Sequence, residues 1–151
     1  MPTKPQPTPQ HQMPLTDMLC FALYSATHAM QATYKHILDD LDLTYPQYIV
    51  LVLLWNADNQ TVGQLGATLQ LDSNTMTPLL KRMEQAGHLT RQRDSADERQ
   101  VRIGLTDQGR GLQARAQHIP ACVLDQSGLT LTAVTDLQHR IMALRDQLRQ
   151  D

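Results

Sequence analysis

The chain has 151 residues, 41% of them hydrophobic and only 4% aromatic, which suits one domain of ordinary size with a core. Its 13 Lys and Arg against 15 Asp and Glu leave a formal charge of −2, so a global polycation is excluded and any nucleic-acid surface has to be local. No run of about 18 apolar residues and no secretory leader pattern occurs, so the sequence predicts a cytoplasmic protein without membrane contact. Two cysteines, Cys20 and Cys122, are too few for a disulfide scaffold and too isolated for structural zinc.

Residues 1–14 hold five of the eight prolines among Gln and Thr, a composition that predicts a disordered tail before a single domain over 15–151. From Thr16, read as an N-cap, Leu19, Leu23, Ala26, Met30, Ile37 and Leu41 recur at helical intervals and predict one long helix over about 16–41. Thr44 with Gln47 makes a capping box before the apolar run Tyr48 to Trp55, so a second, largely buried helix starts there. Thr61 with Gln64 repeats the pattern and opens a short helix whose inner face is Val62, Leu65 and Leu69. Pro78 is expected in the first turn or so of the following helix, since a proline deeper inside costs about 3 kcal/mol; that helix begins at 73–75 and stops at Gly87.

Beyond Gly87 the pattern alternates: Leu89 opens one extended run and Val101, Ile103 and Leu105 make another, with the charged tip R-D-S-A-D-E-R between them. Thr106 caps a fifth helix that Pro120 interrupts, and Gly128 separates it from a last helix. There Val134, Leu137, Ile141, Leu144 and Leu148 form a narrow apolar seam of coiled-coil spacing, which needs a partner.

The order helix, turn, helix, charged hairpin predicts a mainly α fold with a small β-hairpin wing, a winged helix-turn-helix over about 44–105 flanked by dimerisation helices at 15–41 and 106–149. Ser73, Asn74, Thr75, Thr77, Lys81 and Arg82 are the exposed hydrogen-bonding positions of the helix that would enter a major groove. Residues 73–102 carry six Lys or Arg, among them Arg91, Arg93 and Arg99, against four acids, a small local excess in an acidic chain. On charge alone the same segment reads equally as a solvated helix and hairpin. Arg99 at the tip suits a narrow minor groove, and Asp97 suits bracing it.

The segment L-D-S-N-T-M-T-P-L-L-K-R-M-E-Q-A-G-H-L-T-R-Q-R at 71–93, followed by D-E-R-Q-V-R-I-G-L-T-D-Q-G at 97–109, resembles the MarR family of bacterial transcription regulators. L-C-F-A-L-Y-S-A at 19–26 and T-Y-P-Q-Y at 44–48 are similar to its organic hydroperoxide resistance regulators, with one departure, Asn74 where a glycine is expected. Both residues tolerate left-handed backbone, so the turn should survive. The resemblance implies a homodimeric repressor on a pseudo-palindromic double-stranded DNA operator, with organic hydroperoxide as effector and no cofactor or catalytic turnover; the six histidines, His28 and His36 eight apart and the rest scattered, predict no metal site.

Cys20 taken alone reads as core packing, as buried free cysteines commonly are. Its place near a helix start argues for chemistry, because the helix dipole and unpaired amides there favour the thiolate that attacks a peroxide. Tyr24 lies one turn further on, with a core tyrosine as its alternative reading. In regulators of this type, residues matching Tyr34 and Tyr45 come from the opposite subunit and donate hydrogen bonds to the sulfur. Cys122, after Pro120, resembles the resolving cysteine of the two-cysteine form, which implies a disulfide between Cys20 of one subunit and Cys122 of the other. The alternative product is a mixed disulfide with a small cellular thiol. Two rival readings keep other roles open: release from DNA by a reversibly bound phenolic or carboxylate ligand, and a thiol peroxidase using Cys20.

Overall fold

The computed structural model describes residues 12–150; most of the predicted tail lies outside them. The chain separates into two compact units, Met1–Ala32 and Thr33–Asp151. Among the described residues seven α-helices and three strands follow in order: α1 Leu19–Leu38, α2 Tyr45–Asn56, β1 Gln60–Thr61, α3 Val62–Leu69, α4 Ser73–Gln85, β2 Leu89–Arg93, β3 Val101–Leu105, α5 Asp107–Ala116, α6 Ile119–Ser127 and α7 Leu131–Leu148. The fold is a winged helix-turn-helix with additional helices at both ends of the sequence.

The first helix begins later than Thr16 predicts. Leu15–Asp17 form a 3-10 turn, Met18 is extended, and the Thr16 hydroxyl donates to the Asp17 carboxylate instead of accepting from an amide. A second 3-10 turn, Asp39–Leu41, closes α1, and Asp42 leaves it in a left-handed conformation.

Within the second unit local capping sets the helix starts. Both predicted capping boxes form: the Thr44 amide donates to Gln47 at 3.0 Å and the Thr61 amide to Gln64 at 2.9 Å, and each box is closed by the reciprocal bond. Asp72 caps α4 by accepting from the Thr75 amide at 2.9 Å. The turn from α3 to α4 takes its left-handed residue at Gln70, φ 57°, while Asn74 lies inside the first turn of α4, so its tolerance for that conformation is not used. Pro78 is the sixth residue of α4, in the second turn and later than expected. It removes the amide that would otherwise reach the Asn74 carbonyl.

Gly87, φ 84°, ends α4: its amide bonds the Glu84 carbonyl and the His88 amide the Met83 carbonyl, a Schellman closure that a Cβ would strain. The strands form one antiparallel sheet in the order β1-β3-β2, with Leu89 opposite Leu105 and Thr61 opposite Arg102. The two-residue strand β1 has no pattern of its own and escaped the sequence reading. Leu38, Val50, Leu51, Leu54, Leu65, Met76, Leu80, Met83, Leu89, Ile103 and Ile119 are fully buried and make one core. The chain breaks between α5 and α6 as Pro120 predicts, because proline fits the first turn of a helix.

By contrast α7 has no buried residue: Leu137, Ile141 and Leu148 of the seam are exposed, and Val134 and Leu144 half-buried. Among the described residues no helix is long and apolar enough to cross a membrane, and no group of three His, Cys, Asp or Glu could hold a metal ion.

Candidate DNA interface and redox site

Amphipathic spacing divides α4 cleanly. Met76, Leu79, Leu80 and Met83 point into the core, which leaves Ser73, Asn74, Thr75, Thr77, Lys81 and Arg82 exposed together on the outer side. That face carries two cations, three hydroxyls and an amide, groups suited to phosphates and base edges.

The wing is more ordered than its sequence suggests. Asp97 accepts from the Arg99 amide and from Arg99 Nε, both at 3.1 Å, and its other oxygen faces the second guanidinium nitrogen. The Arg99 side chain is nevertheless 91% exposed, held by a partner and presented outward. The guanidinium keeps the Asp97 carboxyl below the usual carboxylate range. Arg93 is exposed at the end of β2. Arg91 is half-buried and tied to Glu84 of α4, Nε to Oε2 at 2.8 Å, which lowers the Glu84 pKa and joins the wing to the helix. Of the six basic residues in this segment, Arg91 and Arg102 thus pair at half-buried positions, while Arg99 pairs with Asp97 and stays exposed. Arg102 pairs with Asp94, a carboxylate only 5% exposed whose role the sequence pattern did not reveal.

In the first unit Cys20 is the second residue of α1 and is exposed, while Phe21 and Leu23 beside it are half-buried. Cys20 lies among the first-turn amides, which have no intrahelical carbonyl to bond. Tyr24 is 61% exposed and its ring lies 4.3 Å from that of His28, so it is not a core tyrosine. Both thiols are free, and Cys122 sits half-buried in α6.

Tyr34 and Tyr45 come together in the second unit, ring centroids 4.6 Å apart, and Tyr48 joins them at 6.0 and 6.5 Å. Burial, reinforced by the neighbouring phenols, pushes Tyr34 up to about 12, and burial raises Tyr45 and Tyr48 as well. These phenols therefore keep their protons at any physiological pH and can act only as neutral donors or acceptors. Tyr48 packs on Trp55, whose Nε1 donates to the Gly109 carbonyl of α5 at 2.9 Å. The Gly109 amide bonds the Thr106 hydroxyl, which in turn donates to the Gly87 carbonyl at the end of α4 at 2.6 Å. Gly109 has no room for a Cβ, which would lie 2.0 Å from the His88 carbonyl. Tyr48 and Trp55 were read from sequence only as apolar filling; the spacing of Tyr45 and Tyr48, three apart on one helix, was the available signal.

The family model for the transcriptional regulators SarA/Rot matches residues 32–115. The organic hydroperoxide resistance transcriptional regulator of Bacillus subtilis is 44% identical over 91% of this chain and 94% of its own length. This chain belongs to the MarR-type transcriptional regulators of the organic hydroperoxide resistance class. The regulator TtmR of Methylorubrum extorquens is 46% identical over 89% of this chain and 69% of its length. Among solved structures, reduced AbfR bound to DNA superposes with a TM-score of 0.77 at 34% identity, covering 89% of this chain and 92% of that one. AbfR, a Staphylococcus epidermidis protein, has also been solved with a disulfide formed.

Proposed function

We propose that this regulator is a homodimeric, redox-sensing repressor that holds its operator while Cys20 is reduced and releases it on oxidation by an organic hydroperoxide. The observation that carries the reading is Cys20 itself: an exposed thiol in the first turn of α1, beside Phe21 and Leu23, in a chain 44% identical to an organic hydroperoxide resistance regulator. The uncovered seam of α7 supports a dimer, since covering Leu137, Ile141 and Leu148 gains roughly 1.5–3 kcal/mol each. Two-fold symmetry then puts one α4 in each major-groove half-site, about 34 Å apart, and Arg99 of each wing over a flanking minor groove.

In the chemical step the Cys20 thiolate attacks the outer peroxide oxygen, the O–O bond breaks, and the alcohol leaves after taking a proton, with the sulfur left as sulfenic acid. Neutral phenols at Tyr34 and Tyr45 of the partner subunit would donate hydrogen bonds to the thiolate and stabilise it before attack. The Cys122 thiol of that subunit then attacks the sulfenic sulfur, forming the disulfide and releasing water. AbfR, solved both reduced on DNA and with a disulfide, offers a precedent in a related protein. Drawing α6 toward α1 of the partner would rotate the two reading helices out of register with the half-sites.

Operator binding by wild type, Cys20→Ser and Cys122→Ser, each with and without cumene hydroperoxide and followed on non-reducing gels, tests this. Wild type should leave DNA as a covalent dimer, Cys20→Ser should stay bound, and Cys122→Ser should form no covalent dimer. Release of Cys20→Ser by peroxide would sink redox sensing. A second reading, release by a reversibly bound small molecule, has one structural support, an open cleft of about 640 Å³ lined by Asp42, Thr44, Gln47, His88, Gln108 and Arg115. It predicts that a carboxylate or phenolic effector releases Cys20→Ser from DNA.

A further inference from the structure

The ion pair of the wing, Asp94 with Arg102, shares no residue with the exposed face of α4 or with the helix that carries Cys20. We propose that Asp94 and Arg102 form a clamp that aims Arg99 at DNA, which makes both of them positioning residues for operator binding. The inference rests on the operator-binding reading.

A carboxylate 5% exposed is costly unless every oxygen is engaged, and that of Asp94 is. Oδ1 accepts from the Ala96 amide at 2.7 Å and the Asp97 amide at 3.3 Å, while Oδ2 takes the Arg102 Nε. The two tip amides and the guanidinium hold the Asp94 carboxyl below the usual carboxylate range, the Ala96 amide foremost. Backbone bonds from the Asp94 amide to the Gln100 carbonyl and from the Gln100 amide to the Asp97 carbonyl close the same loop. One side chain thus organises the turn that presents Asp97, and Asp97 holds Arg99.

Arg102 fixes the other end. It lies on the central strand β3, and its Nη1 donates to the Asn59 carbonyl at 2.9 Å, in the left-handed turn between α2 and β1. A continuous line therefore runs from the body of the lobe through Asn59, Arg102, Asp94 and Asp97 to Arg99. The pair is not needed to fill the core, which Leu89, Ile103 and Leu105 supply on the inner side of the same strands. Replacing both members of such a pair by apolar groups is commonly neutral for folding, whereas removing one leaves the other without its counter-charge, so aiming is separated from stability by the coupling to Arg99. Without the clamp the tip would have to be ordered on DNA, at an entropic cost to affinity.

The test uses full-length reduced protein and a duplex that it selects from a random-sequence pool. Arg102→Met should stay folded with a lowered melting temperature, because the Asp94 carboxylate loses its cation, and bind that duplex about tenfold more weakly. Asp94→Asn, which keeps an acceptor for the two amides, should bind more weakly in the same direction and serves should Arg102→Met fold poorly. The deciding readout is the coupling to the tip. Arg99→Ala should weaken wild type by about tenfold or more but weaken Arg102→Met by less than about threefold, because an unaimed arginine has little left to lose. Additive losses, with the salt slope of Arg102→Met lower by about one, would mean that Arg102 touches phosphate directly and would overturn the clamp. Unchanged binding by both clamp variants, with Arg99→Ala still harmful, also overturns it. If Lys81→Ala, Arg82→Ala and Arg99→Ala all leave duplex binding intact, the operator-binding reading fails and the clamp with it.

Discussion

The winged lobe and the last helix were built by different rules. Every helix of the lobe from α2 to α5 begins at a side-chain cap, its inner face is buried, and among the described residues no buried side-chain polar atom lacks a partner. The last helix, α7, is capped by Thr130 just as well, with the Ala133 amide bonding its hydroxyl at 3.2 Å, yet it buries nothing. Capping thus decides where a helix starts, and packing decides whether its apolar side is finished. The lobe is finished within one chain, whereas the apolar side of α7 is left open.

The sharpest way to break that contrast is to put a charge into the seam. Ile141→Asp leaves the lobe untouched but buries a carboxylate in any dimer formed through α7. Sedimentation should show a monomer, and duplex binding should fall by about a hundredfold or more because the second half-site contact is no longer tethered to the first. The lobe should still melt cooperatively by circular dichroism. A dimer that persists in Ile141→Asp would mean that the seam is not the interface.

The second prediction turns the contrast round. Leu51 is fully buried, so Leu51→Ala should cost about 2–5 kcal/mol in urea unfolding. Leu148→Ala, made in the monomeric Ile141→Asp background where residue 148 is 70% exposed, should change stability by less than about 0.5 kcal/mol. Equal costs at the two positions would show that α7 is packed within its own chain after all.

What the sequence revealed follows the same division. Capping boxes, the glycine at 87, the proline at 120 and the seam are all local signals, written within a few residues of where they act, and each appears in the structure at its predicted place. Thr16 misled because a good capping residue followed Pro14 into a 3-10 turn, and Pro78 because α4 accepts a proline one turn deeper than its cost suggests. Non-local partners were invisible. Arg91 reads as a free cation until Glu84 is found beside it, Asp94 reads as one more charge at a hairpin tip until it is found buried, and Trp55 reads as apolar filling until it reaches Gly109 across 54 residues. For the proposed redox site, the residue types and their order were readable, and the meeting of Tyr34 with Tyr45 and Tyr48 required the fold.

The smallest expected effect concerns His88, where the lobe buries a titratable ring just beyond the end of α4. The ring is 7% exposed, and burial lowers its pKa from an ordinary 6.5 against the opposing pull of the Asp42 carboxylate. Gln108 Nε2, whose orientation is set by its bond to the Ala86 carbonyl at 3.1 Å, points a donor at His88 Nδ1, so the folded ring is neutral with its proton on Nε2. Arg115 lines the same cleft, its guanidinium donating to the Asp40 carbonyl. Below about 6.5 the unfolded chain takes up a proton that the folded ring refuses, so stability is full above that pH and declines as pH falls. The decline ends once pH passes the lowered folded value, where both states are protonated. Urea midpoints for wild type and His88→Gln between pH 7.5 and pH 5 should therefore converge as the solution is acidified, with the shallower slope in the variant. Parallel slopes would show that the ring titrates alike in both states and that the lobe, for all its tight pairing elsewhere, leaves this histidine indifferent to folding.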